Sequence, residues 1–171
     1  SSSGDVYGAR VSDGGVVLDG PTGVPIYTGN GGQHAVDVGT SGSTAQVIWT
    51  DTVGGVYVLF GARVDGAGVV LDSPPHTLLT STLTSRPETA IAFDGTNYLV
   101  ALGVSAKKLS AARVDTLGNS LDPSGFLVTS NGASPSVAFD GANYLVVYKR
   151  TTGIYGTRVT TAAAVLDPNG I

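Results

Sequence analysis

Val137-Ala138-Phe139, Asp140-Gly141-Ala142-Asn143, Tyr144-Leu145-Val146-Val147-Tyr148 reads as an apolar run, a turn and a second apolar run. Asp-Gly supports the left-handed backbone of a tight hairpin turn, and Asn tolerates the same region. The phrase has a twin in Ala90-Ile91-Ala92-Phe93, Asp94-Gly95-Thr96-Asn97, Tyr98-Leu99-Val100-Ala101-Leu102. A degenerate copy runs through Ala35-Val36-Asp37-Val38 and Ala45-Gln46-Val47-Ile48-Trp49, with a longer Gly/Ser loop between. Short apolar runs alternate with Gly, Asp, Asn, Pro and Ser clusters throughout, and helical periodicity is absent. That pattern predicts an all-β chain.

A second hairpin type alternates with the first. It reads Tyr7-Gly8-Ala9-Arg10-Val11 with Leu18-Asp19, and Phe60-Gly61-Ala62-Arg63-Val64 with Leu71-Asp72. It returns as Ser110-Ala111-Ala112-Arg113-Val114 with Leu121-Asp122, and as Tyr155-Gly156-Thr157-Arg158-Val159 with Leu166-Asp167. Arg precedes Asp by nine positions in every copy, and the copies recur at steps of 53, 50 and 45 residues. Such a period belongs to repeat architectures. Four copies of one hairpin and three of the other predict about fourteen strands, or three and a half four-stranded antiparallel units. The whole chain 1–171 reads as a single repeat domain: a half unit at 1–30, then units at about 31–80, 86–130 and 133–171. Ser73-Pro74-Pro75 and Asn131-Gly132-Ala133-Ser134-Pro135 read as connectors between units.

The second strand of the first hairpin type is apolar on both faces. Tyr144, Val146 and Tyr148 lie on one face, Leu145 and Val147 on the other. Strands covered on both sides read this way. Sheets sandwiched between neighbouring sheets produce the pattern, which predicts a β-propeller-like array. Three and a half units fall short of the four blades a propeller usually needs. An open ring exposes sheet edges and unpaired faces, which invite association.

Leu121-Asp122-Pro123-Ser124-Gly125 and residues 137–147 carry a resemblance to a tandem repeat of secreted bacterial surface proteins. In outline that repeat is Tyr-Gly-x-Arg-Val, Leu-Asp-Pro-x-Gly, Val-Ala-Phe-Asp-Gly-x-Asn-Tyr-Leu-Val-Val. The resemblance covers nearly the whole chain and implies β-propeller blades of about 45 to 50 residues. It implies no particular activity, because propellers serve enzymes, lectins and scaffolds alike.

Composition narrows the partners. The chain has 171 residues, a net charge of −4 and nine Lys+Arg, four of which are the repeat arginines with their acidic mates. Nucleic acid, which demands a clustered basic surface, is therefore not an expected partner. Lys107-Lys108 and Lys149-Arg150 read as solvated strand ends. No apolar run reaches the roughly 20 residues that cross a bilayer, so a membrane-spanning chain is not expected. Cys is absent, which removes disulfide and thiolate chemistry. Met is absent too, and the chain opens at Ser1-Ser2-Ser3-Gly4, so a processed product or a fragment of a longer chain is expected. Acidic, Cys-free, Ser/Thr/Gly-rich and low in Lys is the profile of an exported or cell-surface bacterial protein.

Candidate sites follow from the repeats. The pairs Arg10–Asp19, Arg63–Asp72, Arg113–Asp122 and Arg158–Asp167 lie about one diagonal step, roughly 7 Å, apart across a hairpin, within reach of a bidentate bond. They read as register ties, with a repeated ligand site as the alternative. Asp94, Asn97, Asp140 and Asn143 read as turn residues, since one Asp and one Asn per turn fall short of a calcium loop, with a metal or sugar contact as the alternative. No metal or other cofactor is expected. Tyr98, Tyr144 and Trp49 read as packing aromatics; exposed ring edges beside Asn97 and Asn143 would instead make sugar-stacking sites. Catalytic patterns are scarce: His34 and His76 fall in connectors, Glu88 is the one Glu, and no nucleophile elbow, zinc helix or phosphate loop occurs. The expectation is a non-catalytic extracellular interaction or structural module whose partner is itself or the rest of a longer chain. Lectin-like multivalent glycan binding is the alternative, and a glycan-active hydrolase built on two converging carboxylates the third reading.

Overall fold

The computed structural model describes residues 4–83, 85–104 and 107–171. The protein is all-β. β1 (Val6–Gly8) and β2 (Val24–Tyr27) pair as a short antiparallel ribbon. β3 (His34–Ser41), β4 (Thr44–Val53), β5 (Val56–Val64) and β6 (His76–Leu83) form a four-stranded meander. Six further strands pair in chain order: β7 (Pro87–Phe93), β8 (Asn97–Val104), β9 (Lys107–Asp115), β10 (Phe126–Phe139), β11 (Asn143–Arg150) and β12 (Gly153–Thr160). No helix among the described residues is long and apolar enough to cross a membrane.

The six-stranded sheet curls because β10 serves two partners. Residues 126–132 pair with β9 and residues 133–139 with β11, through register shifts on either side of the changeover. Ser134 takes a left-handed backbone there, with φ 52°. Beyond the bend β10 packs back on β7 and β8, and β7 in turn packs on β3.

Two expectations are corrected. Among the described residues there are twelve strands where fourteen were predicted. The returning arm of each Arg-Val…Leu-Asp hairpin makes a single bridge, Val11–Val17, Val64–Val70, Val114–Ser120 and Val159–Val165, and then leaves the sheet. The place beside the Arg strand goes to the segment after Leu-Asp: β2, β6 and the first half of β10. At the C-terminus Ile171 starts that same pairing, exchanging both main-chain hydrogen bonds with Gly156 at 2.8 Å. In addition, Asn131 to Pro135 is no connector but lies inside β10.

The core lies between repeats. One cluster joins Ile48, Leu59 and Leu78 to Tyr98, Val100 and Val114. The next joins Leu99, Ala101 and Leu109 to Tyr144, Val146 and Val159. Val6 meets Val47, Trp49 and Ala62 in a smaller third cluster. Each unit thus presents one face backward and the other forward, and the alternating side chains of a single strand serve both.

Candidate functional site

The recurring Arg-Val…Leu-Asp segment folds the same way four times. After the Arg, a polar side chain caps the turn. Ser12 Oγ accepts from the Val16 N–H at 3.1 Å, Asp65 Oδ1 from Val69 at 2.8 Å, Asp115 Oδ1 from Asn119 at 2.8 Å and Thr160 Oγ1 from Ala164 at 3.0 Å. The position just before each donor needs a left-handed backbone. Gly15, Gly68 and Gly118 supply it at φ 77°, 85° and 84°, and Ala163 is forced to 68°. Four different sequences thereby bring Asp back beside Arg.

In each copy Arg holds its Asp three ways. Arg63 Nε and Nη2 donate to the two Asp72 oxygens at 2.9 and 2.8 Å, and the Arg63 main-chain N–H adds a third bond at 2.8 Å. Arg113 and Asp122 repeat this at 2.9, 3.0 and 2.9 Å, and Arg158 and Asp167 at 2.9, 3.0 and 3.0 Å. Arg10 holds Asp19 with both Nε and Nη2 and with its own N–H at 2.6 Å. Bonds from Arg10 and Arg113 hold the Asp19 and Asp122 carboxyls below the usual carboxylate range. Burial pushes Asp72 upward, but the Arg63 bonds outweigh it and the net direction is down. The Arg158 side chain and N–H bring Asp167 to about 2.

One nitrogen of each guanidinium is not used on the Asp. Nη1 of Arg10 donates to the Gly66 carbonyl at 2.8 Å, that of Arg63 to Thr116 at 3.5 Å, and that of Arg113 to Thr161 at 3.2 Å. Every acceptor sits in the turn of the next repeat, three residues after that repeat's own Arg. The pair is therefore a tie within one unit and a clasp onto the next. Nη1 of Arg158 has no protein partner among the described residues. The sequence reading missed the clasp, although the constant spacing from each Arg to its turn was there to suggest it.

The other candidate residues divide by burial. Trp49 is buried, stacked between Tyr27 and Phe60 with centroids 5.3 and 6.4 Å away. Tyr98 and Tyr144 are buried as well, packed on Phe93 and Phe139. The Tyr144 hydroxyl donates to the Asn97 carbonyl at 2.9 Å, and burial, then the neighbouring Asp94 carboxylate, raises its pKa far above the ordinary phenol value. These three rings are packing residues and leave no face for a sugar. Asp94 and Asp140 cap their own turns, Asp94 Oδ1 accepting from Thr96 and Asn97, and Asp140 Oδ1 from Ala142 and Asn143. Gly95 and Gly141 provide the left-handed step at φ 98° and 99°. Asn97 and Asn143 stay half-buried at the ends of those turns.

Three residues outside the repeat phrase also take defined places. His76 Nε2 lies 3.4 Å from Asp72 Oδ1, and the His34 ring lies 6.0 Å from that of Tyr57. Arg150, expected as a solvated strand end, instead donates to the Asn131 and Asn169 carbonyls at 3.0 and 2.9 Å and lies over the Tyr155 ring at 4.4 Å. Between the β1–β2 ribbon and the β3–β6 sheet runs an apolar groove of about 340 Å³, bordered by Tyr7, Ile26, Val36 and Val38. Ala45 stands there where the later units place Tyr98 and Tyr144 against the preceding hairpin.

The end faces differ from the internal ones. Leu99 and Leu109 of the middle unit are 0% exposed, whereas their counterparts Leu145 and Ile154 are 37% and 70% exposed. At the other end Val11 is 61% exposed, whereas its counterpart Val64 is half-buried and Val114 and Val159 are 0% exposed. No family model matches this chain, and searches of curated proteins and of solved structures return no match.

Proposed function

We propose that this chain is a non-catalytic, extracellular interaction or structural module of propeller-like blades, which self-associates or completes a larger propeller or fibre through its two end faces. The observation that carries the reading is the exposure of Leu145 and Ile154, whose counterparts Leu99 and Leu109 are buried, and of Val11, whose counterparts Val114 and Val159 are buried and Val64 half-buried. Apolar surface repeated in register and left open at both ends favours burial against more of the same surface. The stacking of β3 on β7 and of β7 on β10 supports the propeller-like arrangement, with the three strands as successive inner strands. The acidic, Cys-free composition and the repeat phrase support a secreted or cell-surface protein. Carboxylates serve as turn caps and register ties in this reading.

Size-exclusion chromatography with light scattering tests it. The expected result is a mass above the 17.1 kDa of one chain, growing with concentration. A sharp 17.1 kDa peak at every concentration would overturn the self-association arm.

A further inference from the structure

We infer that the association is head to tail, with Arg158 of one copy clasping the main-chain carbonyl of Asp13 in a second copy. The inference rests on the self-association proposed above and names its junction.

Arg10, Arg63 and Arg113 each reach the turn carbonyl three residues after the next Arg, at Gly66, Thr116 and Thr161. Four guanidiniums and four such carbonyls leave one donor and one acceptor unmatched. The donor is Nη1 of Arg158, and the acceptor is the carbonyl three residues after Arg10, that of Asp13. Donor and acceptor sit at opposite ends of the molecule, so one copy following another brings such a pair together.

The shape of the vacant seat agrees. At internal junctions the turn glycine lies on the preceding Arg–Asp pair. A Cβ placed on Gly68 would be 3.0 Å from Arg10 Nε, and one on Gly118 would be 3.4 Å from Asp72 Oδ2. Gly15 occupies the same turn position with a similar backbone, φ 77° against 85° and 84°, and has nothing within 4 Å of the same point. The first turn is therefore built like the others and stands open.

Apolar surface follows the same polarity. Leu145 and Ile154 project on the Arg158 face, while Val11, at the position where Val114 and Val159 pack on the preceding unit, lies exposed at the other end. The two patches are different, so the contact is heterologous, and each added copy again offers a free Arg158 and a free Asp13. Isologous pairing of two Arg158 faces would set like guanidiniums against each other.

Sedimentation equilibrium on the intact chain and two exposed-site variants tests the junction. Val11→Glu blocks the receiving face and Leu145→Glu the donating face. The wild type is expected to form species beyond the dimer. Each variant alone stays at one chain mass, and an equimolar mixture gives a dimer and stops there. Arg158→Gln introduced into the Leu145 wild-type partner of that mixture weakens the dimer about tenfold, with circular dichroism unchanged. A wild type that remains monomeric overturns the self-association and the junction together. A wild type that associates while the two variants fail to complement overturns the junction alone, as does a dimer indifferent to Arg158→Gln.

Discussion

β8 and β11 hold the same place in successive repeats and meet different surroundings. Tyr98, Val100 and Leu102 correspond to Tyr144, Val146 and Tyr148, and both sets are buried against the preceding unit. On the other face Leu99 and Ala101 are closed by the following unit, whereas Leu145 is open. The two strands obey one sequence rule, apolar on both sides, and only β8 has both sides covered. Burial at a given position is thus decided by the presence of the next unit. The Arg clasp differs in the same direction, since Arg113 reaches Thr161 and Arg158 reaches no described neighbour.

The sharpest way to break this comparison is a matched pair of truncations. Leu99→Ala is expected to cost about 2–5 kcal/mol, because it opens a cavity between two packed units. Leu145→Ala at the open face is expected to cost about 1 kcal/mol or less. Urea unfolding at low protein concentration measures both, and equal losses would mean that the face of β11 is covered after all.

Acid titration is expected to give a smaller effect. The folded Asp167 carboxyl lies at about 2, below its ordinary value of 3.8. Its contribution is therefore fully present above about pH 4 and is lost as the pH falls toward 2. Asp19, Asp72 and Asp122 are shifted in the same direction. Thermal melts from pH 5 to pH 2 are expected to show falling stability, and Asp167→Asn to remove part of the slope. A flat profile would show that the ties contribute nothing measurable, as exposed ion pairs often do.

The smallest effect concerns the turns. Ala163 holds the left-handed conformation that Gly68 and Gly118 adopt freely. Ala163→Gly is expected to stabilise by up to about 1 kcal/mol, the relief of Cβ strain being partly offset by unfolded-state entropy. A raised melting temperature would place the strain in the turn; a lowered one would show that Ala163 is held there by packing.

Much of this was legible along the chain. The Asp-Gly-x-Asn turns mark β7–β8 and β10–β11, and the nine-residue offset brings each Arg to its Asp, because both depend on contacts within a few residues. The strand beside each Arg strand was misread for a physical reason. Val69 and Leu71 look as strand-like as Leu78 and Leu79, yet the first two are exposed and the second two are buried. Only the packing of the next sheet distinguishes them. Asn131 to Pro135 has connector composition, and its course inside β10 depends on two partner strands from different repeats.

By itself the sequence determined the all-β character, the period and the turn geometry, since backbone preference and short-range hydrogen bonding act within one repeat. Tertiary structure decided which apolar segment joins each sheet, which aromatics are closed in the core, and where each guanidinium's spare nitrogen goes. Those outcomes depend on what the neighbouring repeat brings, which the short-range preferences within one repeat do not specify.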